Sequence, residues 1–232
     1  MSQRSSTNHA RLKSGFTLLE LLVSIGLMLI IISVVLSGQS TYTKRASLRN
    51  LANDIALTVR QAQVYGTSVQ GFRPVAGSAE FTNAYGVHFN ISNNVDPAAK
   101  TVYTFFADRP QNGQPKNQIY DSGPSCPPLS TNPDSECIER SIIPGGNQID
   151  DICLITLTGG FTCSNNSSIS GVNVTFLRPE TSANLVFMGN SGNALPFCTQ
   201  AQPCKGVRIK LLSPTGNTST VDIYKTGQIS IN

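Results

Sequence analysis

From Phe16 to Ser37 the chain reads FTLLELLVSIGLMLIIISVVLS, 22 residues carrying a single charge, Glu20. A helix of that length rises ~33 Å at ~1.5 Å per residue, enough to cross the hydrocarbon of a bilayer. The run is longer than the apolar core of a secretory signal peptide and places a carboxylate near its start, so an anchor that is retained fits better. Arg4, Arg11 and Lys13 precede it with no acid among them, which predicts a cytoplasmic N-terminus. Lys44, Arg45 and Arg49 follow closely and blunt that bias.

Helical periodicity continues past the apolar run. Leu48, Leu51, Ile55, Val59 and Ala62 recur at spacings of three and four, with Arg49, Asn53, Arg60 and Gln61 around them. That is one apolar stripe on an otherwise polar helix. No proline falls between Phe16 and Gly66, and Gly66 is a natural stop, so one long helix is predicted over 16–66, with 16–37 transmembrane.

Beyond Gly66 the period shortens to two. Strands are predicted at 85–91, 101–107, 152–157, 172–177, 184–188, 206–212, 219–224 and 228–231. Val172-Asn173-Val174-Thr175-Phe176 and Val207-Arg208-Ile209-Lys210-Leu211 alternate as half-buried antiparallel strands do. The Pro-, Gly- and Asn-rich stretch 108–146 is expected to be a long loop. The fold class is therefore α+β: a long N-terminal helix, then an antiparallel β-rich head over 67–232.

Cys126, Cys137, Cys153, Cys163, Cys198 and Cys204 all lie in the head, with no Cys-x-x-Cys and no histidine near them. Zinc needs closely spaced Cys/His pairs, so no metal site is expected. An even count in a turn-rich domain points to disulfides and an oxidising compartment. Many connectivities are open; sequential pairing would close three short, turn-like loops.

The formal charge is +4, and removing Arg4, Arg11 and Lys13 would leave +1. A nearly neutral body makes nucleic acid an unlikely partner, with only Lys205, Arg208 and Lys210 loosely grouped. Gly189-Asn190-Ser191-Gly192 with His88 could suggest a nucleophilic serine, but such a run in a β domain reads as a turn. Asp108 and Asp150-Asp151 lack calcium-loop spacing. No catalytic residue and no cofactor are expected, so the chain reads as a non-enzyme.

Lys13-Ser14-Gly15-Phe16-Thr17-Leu18-Leu19-Glu20 carries the sharpest signal. A small residue at Gly15 admits a protease close to the backbone. Phe16 would become the new N-terminus, and Glu20 would lie about one helical turn away. A carboxylate in hydrocarbon costs about 2.5–3.5 kcal/mol, so it needs a partner, and a neighbouring subunit's ammonium is one. Gly15 through Val23 resembles the prepilin signature of type IV pilins and type II secretion pseudopilins. The resemblance implies a leader of residues 1–15 cut after Gly15 by a prepilin peptidase, methylation of Phe16, and a role for Glu20 in assembly with other pilins. It also implies an inner-membrane assembly platform as partner, and a bacterial inner-membrane location with the head periplasmic or extracellular, later in a pilus or pseudopilus. A looser likeness joins residues 48–69, Tyr85-Gly86-Val87-His88-Phe89 and 221–229 to the GspH/FimT group of minor pilins. That group follows its helix with a two-sheet head, and some of its members act in DNA uptake. The expected function is a minor pilin or pseudopilin, the alternative a pilus-associated binding subunit for DNA uptake or adhesion on the same anchor.

Overall fold

The computed structural model describes residues 16–68, 71, 81–110, 115–123, 126 and 135–232, without the side chains of 37–41. Helix α1 runs over Leu18–Thr67, 50 residues without a break. The chain divides into two compact units, Met1–Tyr42 and Thr43–Asn232. The second half of α1 thus belongs to the same unit as the β-strands.

In the first unit, Leu18–Leu36 has a mean hydropathy of 2.8 and no buried residue. It is the one described helix long and apolar enough to cross a membrane. Its two serines bond back to helix carbonyls, Ser24 Oγ to Glu20 O at 2.7 Å and Ser33 Oγ to Leu29 O at 2.8 Å. Neither of these two hydroxyls is left unsatisfied for lipid to desolvate.

Among its described residues the second unit has ten strands: β1 Tyr85–Asn90, β2 Val102–Ala107, β3 Cys137–Ile142, β4 Gln148–Thr156, β5 Phe161–Cys163, β6 Ile169–Phe176, β7 Asn184–Gly189, β8 Cys204–Leu212, β9 Thr218–Tyr224 and β10 Ile229–Ile231. They form two five-stranded sheets, ordered β3-β2-β1-β6-β7 and β10-β9-β8-β4-β5, with antiparallel pairing throughout. One apolar cluster joins the helix stripe to both sheets. Leu48, Leu51, Ile55, Val59 and Ala62 pack with Val87, Phe89, Val174 and Phe176 of the first sheet and Val207, Ile209 and Ile223 of the second. The period of 3.6 in the helix meets the period of 2 in the strands in a shared core.

α1 ends at Thr67, one residue past the stop expected at about Gly66. The reason for glycine is contact: a Cβ there would lie 2.3 Å from the carbonyl oxygen of Phe176 in β6. The helix can close on the sheet only where there is no side chain. Beside it Tyr65, Tyr85 and Phe105 cluster, with ring centroids 5.6 to 6.3 Å apart.

Two strands escaped the sequence pattern. Residues 108–146 were expected to be loop but contain β3, an edge strand whose Glu139 and Arg140 break any apolar alternation. An edge strand needs partners on one side only, so its pattern is weak. Strand β5 has three residues and lies at the other sheet's edge. β4 begins at Gln148 rather than Ile152, with a bulge between Ile149 and Asp151 that inserts Asp150.

Three disulfides are present: Cys126–Cys137, Cys153–Cys163 and Cys198–Cys204. Cys153 and Cys163 are register partners on β4 and β5.

Candidate functional site

Gly15 lies outside the described residues. Phe16 and Thr17 precede α1, and Phe16 is exposed. Thr17 caps the helix: its Oγ1 accepts the Glu20 N–H at 3.2 Å, and its carbonyl accepts the Leu21 N–H at 3.2 Å. Thr17-Leu18-Leu19-Glu20 has the Thr-x-x-Glu spacing of a capping box, which was not recognised in the sequence. Glu20 therefore stands in the first turn, where the positive end of the helix dipole favours a carboxylate. Among the described residues nothing bonds the carboxylate itself.

In the head, the polar side chains cluster on the face of the first sheet that turns away from the core. The alternating pattern of β6 predicts solvent on that face, yet Asn173 and Thr175 are fully buried. Residues 117–123 lie over them. The Tyr120 N–H donates to Asn173 Oδ1 at 3.3 Å, and Thr175 Oγ1 donates to Gln118 Oε1 at 3.1 Å. The Tyr120 ring packs on Phe106 and His88, with centroids 5.5 and 5.3 Å apart.

Two buried carboxylates hold this covering segment. Asp108 accepts the N–H groups of Asn117 and Gln118 at 3.2 and 2.9 Å. Glu136, fully buried, accepts those of Arg109 at 3.2 Å and Asp121 at 2.7 Å, while its own N–H donates to Ser122 Oγ at 2.6 Å. Loss of water raises the pKa of Glu136 to about 8 and raises that of Asp108 as well, and the accepted N–H bonds only partly oppose it. Burial likewise pushes Tyr120 up to about 12. Asp108, singled out in the sequence as a poor calcium ligand, is thus a loop organiser. Glu136 gave no sequence signal at all, lying in a turn-rich stretch.

Between the segment and the sheet lies a cavity of about 120 Å³ lined by His88, Thr104, Tyr120, Arg140 and Met188 among others. Arg140 on β3 pairs with Asp96 at 2.6 Å. His88 Nδ1 lies 2.8 Å from Asn173 Oδ1. Because a backbone N–H also points at that oxygen, the amide orientation is fixed and Nδ1 must be the donor. Burial lowers the pKa of His88 and keeps the ring neutral. His88 is therefore bonded to an asparagine, not to Ser191, which sits in an exposed turn closed by the Gly192 N–H on Gly189 O at 2.9 Å.

The cations noted on β8 are engaged. Arg208 donates from Nε and Nη2 to the two carboxylate oxygens of Asp222 at 2.6 Å each, and lies 4.1 Å from the Phe161 ring centroid. Lys210 pairs with Asp150 at 2.8 Å, and Lys205 lies 5.7 Å from the Tyr224 ring centroid. Among the described residues Asp151, Cys153 and Cys163 are close enough to suggest a metal, but both sulfurs are in the disulfide. Asp151 Oδ1 instead accepts the N–H groups of Ile152 and Ser164 at 2.9 and 3.0 Å.

A capped apolar helix carrying one first-turn carboxylate, followed by an antiparallel β head, defines a membrane-anchored α+β protein. Residues 10–36 match the family model described as the prokaryotic N-terminal methylation motif. With the apolar helix, that match supports a type IV pilin-like chain; it covers the N-terminal segment alone. No curated protein matches the chain, and no solved structure does.

Proposed function

We propose that this chain is a minor pilin or pseudopilin, a subunit of a type IV pilus or type II secretion filament. In this reading residues 1–15 are a leader removed after Gly15, residues 16–66 the assembly helix and residues 67–232 the head. Phe16 receives the methyl group, and Glu20 pairs with the ammonium of a neighbouring subunit's Phe16. The methylation motif over residues 10–36 carries the proposal. Two features of the helix support it: Leu18–Leu36 buries nothing in its own chain, and Glu20 has no bonded partner for its carboxylate among the described residues. The two-sheet head is the arrangement that the GspH/FimT likeness implies. The partners would be the prepilin peptidase, an inner-membrane platform and other pilins, with the head on the periplasmic or outer side.

The alternative, a DNA-binding subunit on the same anchor, draws no support from β8, whose Arg208 and Lys210 are neutralised by Asp222 and Asp150. The test is the mass of the intact chain and of its N-terminal peptide, extracted from cells with and without the peptidase. A chain starting at N-methylated Phe16 only when the peptidase is present is expected. A chain still starting near Met1 overturns the proposal.

A further inference from the structure

We propose that the cavity between residues 117–123 and the outer face of the first sheet is a binding site for an uncharged, hydroxylated six-membered ring. Its size comes first. A cavity of about 120 Å³ compares with the ~150 Å³ void that takes up benzene in another protein, so one ring fits with its substituents toward the opening. One wall is apolar, with Ile119, Tyr120, Val102 and Met188 among its residues.

The polar wall offers both hydrogen-bond senses. The Tyr120 N–H orients Asn173, Asn173 orients His88, and the neutral imidazole is left with Nε2 as an acceptor that has no partner among the described residues. Arg140 gives one bond to Asp96 and keeps the other N–H groups of its fork without a hydrogen-bond partner there. The Thr104 hydroxyl, on β2 beside them, can donate or accept, and none of its bonds is made among the described residues. A hydroxyl group answers all three side chains, and a plain hydrocarbon would leave them unsatisfied.

Charge excludes the ionic alternatives. Asp96 and Arg140 neutralise each other at 2.6 Å. Asp121, at the exposed rim, is screened by solvent and adds little attraction or repulsion for a charge of either sign. The ring can come from a monosaccharide or from a phenol, whose shared chemistry is a flat or puckered apolar face with hydroxyls on its edge.

The experiment is a saturation-transfer NMR titration of the full chain in detergent with methyl hexopyranosides, phenol, a uronic acid and glucosamine. Saturable millimolar binding of a neutral hydroxylated ring is expected, as is usual for a dozen-atom ligand. It should weaken about tenfold in Thr104→Val, which removes one hydrogen bond to the ring at little change in volume, and at least as much in His88→Phe, which removes the ring's bond to Nε2 together with the bond to Asn173. Preference for a hexoside or for phenol identifies the source, and either supports the site. The proposal is overturned by tighter binding of the uronate or of glucosamine, by no saturable signal from any neutral ring, or by undiminished binding in both variants. The wild-type panel alone decides the matter if a variant does not fold, as judged by circular dichroism.

Discussion

The carboxylate of Glu136 accepts the backbone N–H of Asp121 at 2.7 Å in a site with no solvent exposure. This contact ties a turn-rich segment to the strand that follows it, and it makes the stability of the head depend on pH. The carboxyl's pKa rises on folding from 4.5 to about 8. Its stabilising contribution is then complete below about 4.5 and is lost as pH rises through about 8. Asp108, shifted in the same direction, adds to the slope.

Thermal melts of the head across that window should therefore fall with rising pH. The slope should be shallower in Glu136→Gln. That variant should be less stable at acid pH by about 1–3 kcal/mol, because its amide nitrogen can only donate where a carboxyl oxygen, even protonated, can accept one of the two N–H groups. Equal slopes in the two proteins would remove Glu136 as the titrating group. His88 acts in the opposite sense at the acid end: burial lowers its pKa below 6.5, so it withdraws stability as pH falls beneath that value.

Thr17 and Glu20 separate helix capping from charge pairing. Thr17→Ala removes the oxygen that accepts the Glu20 N–H and should cost the helix start about 1 kcal/mol while leaving the carboxylate in place. Glu20→Gln keeps the length of the side chain and removes its charge. If the charge serves assembly, Glu20→Gln should abolish filament incorporation in a shearing assay, with Thr17→Ala incorporated nearly normally. Equal defects in both would assign Glu20 to the cap instead.

Gly66→Ala places a methyl group against the Phe176 carbonyl, which cannot give way without moving β6. Overpacking of this kind costs about 1–3 kcal/mol, and the ~1 kcal/mol gain in helix propensity offsets only part of it. A lower denaturation midpoint in urea should follow. An unchanged midpoint would mean that the helix end shifts freely on the sheet.

Arg208→Ala strips Asp222, which is 2% exposed, of its bidentate partner and uncovers the Phe161 ring. Leaving a buried carboxylate unpaired costs about 3 kcal/mol. The loss should be smaller in Arg208→Ala/Asp222→Ala than the sum of the two single losses, a double-mutant cycle readable by chemical denaturation.

The helix and most strands were legible because their signal is local. The apolar run over 16–37, the stripe through Leu48, Ile55 and Val59, and the alternation in β6 and β8 each need only a short window of neighbours. Periodicity reports which side of an element is apolar and therefore which side seeks a core. The anchor and the α+β class lay within that reach.

Only the assembled chain could supply what depends on partners distant in sequence. Asn173 and Thr175 occupy the polar phase of β6, where a solvated face is the natural reading. They are buried because a segment some fifty residues earlier folds across them. Glu136 is an ordinary carboxyl in sequence, and its raised pKa comes from desolvation by that same segment. Strands β3 and β5 exist through one-sided pairing at the sheet edges, and the six cysteines found their partners through strand register and loop closure. A side chain's type and spacing determine which face of its own element it joins. What covers that face, and so whether a polar group meets water or protein, is set by contacts that no local window contains.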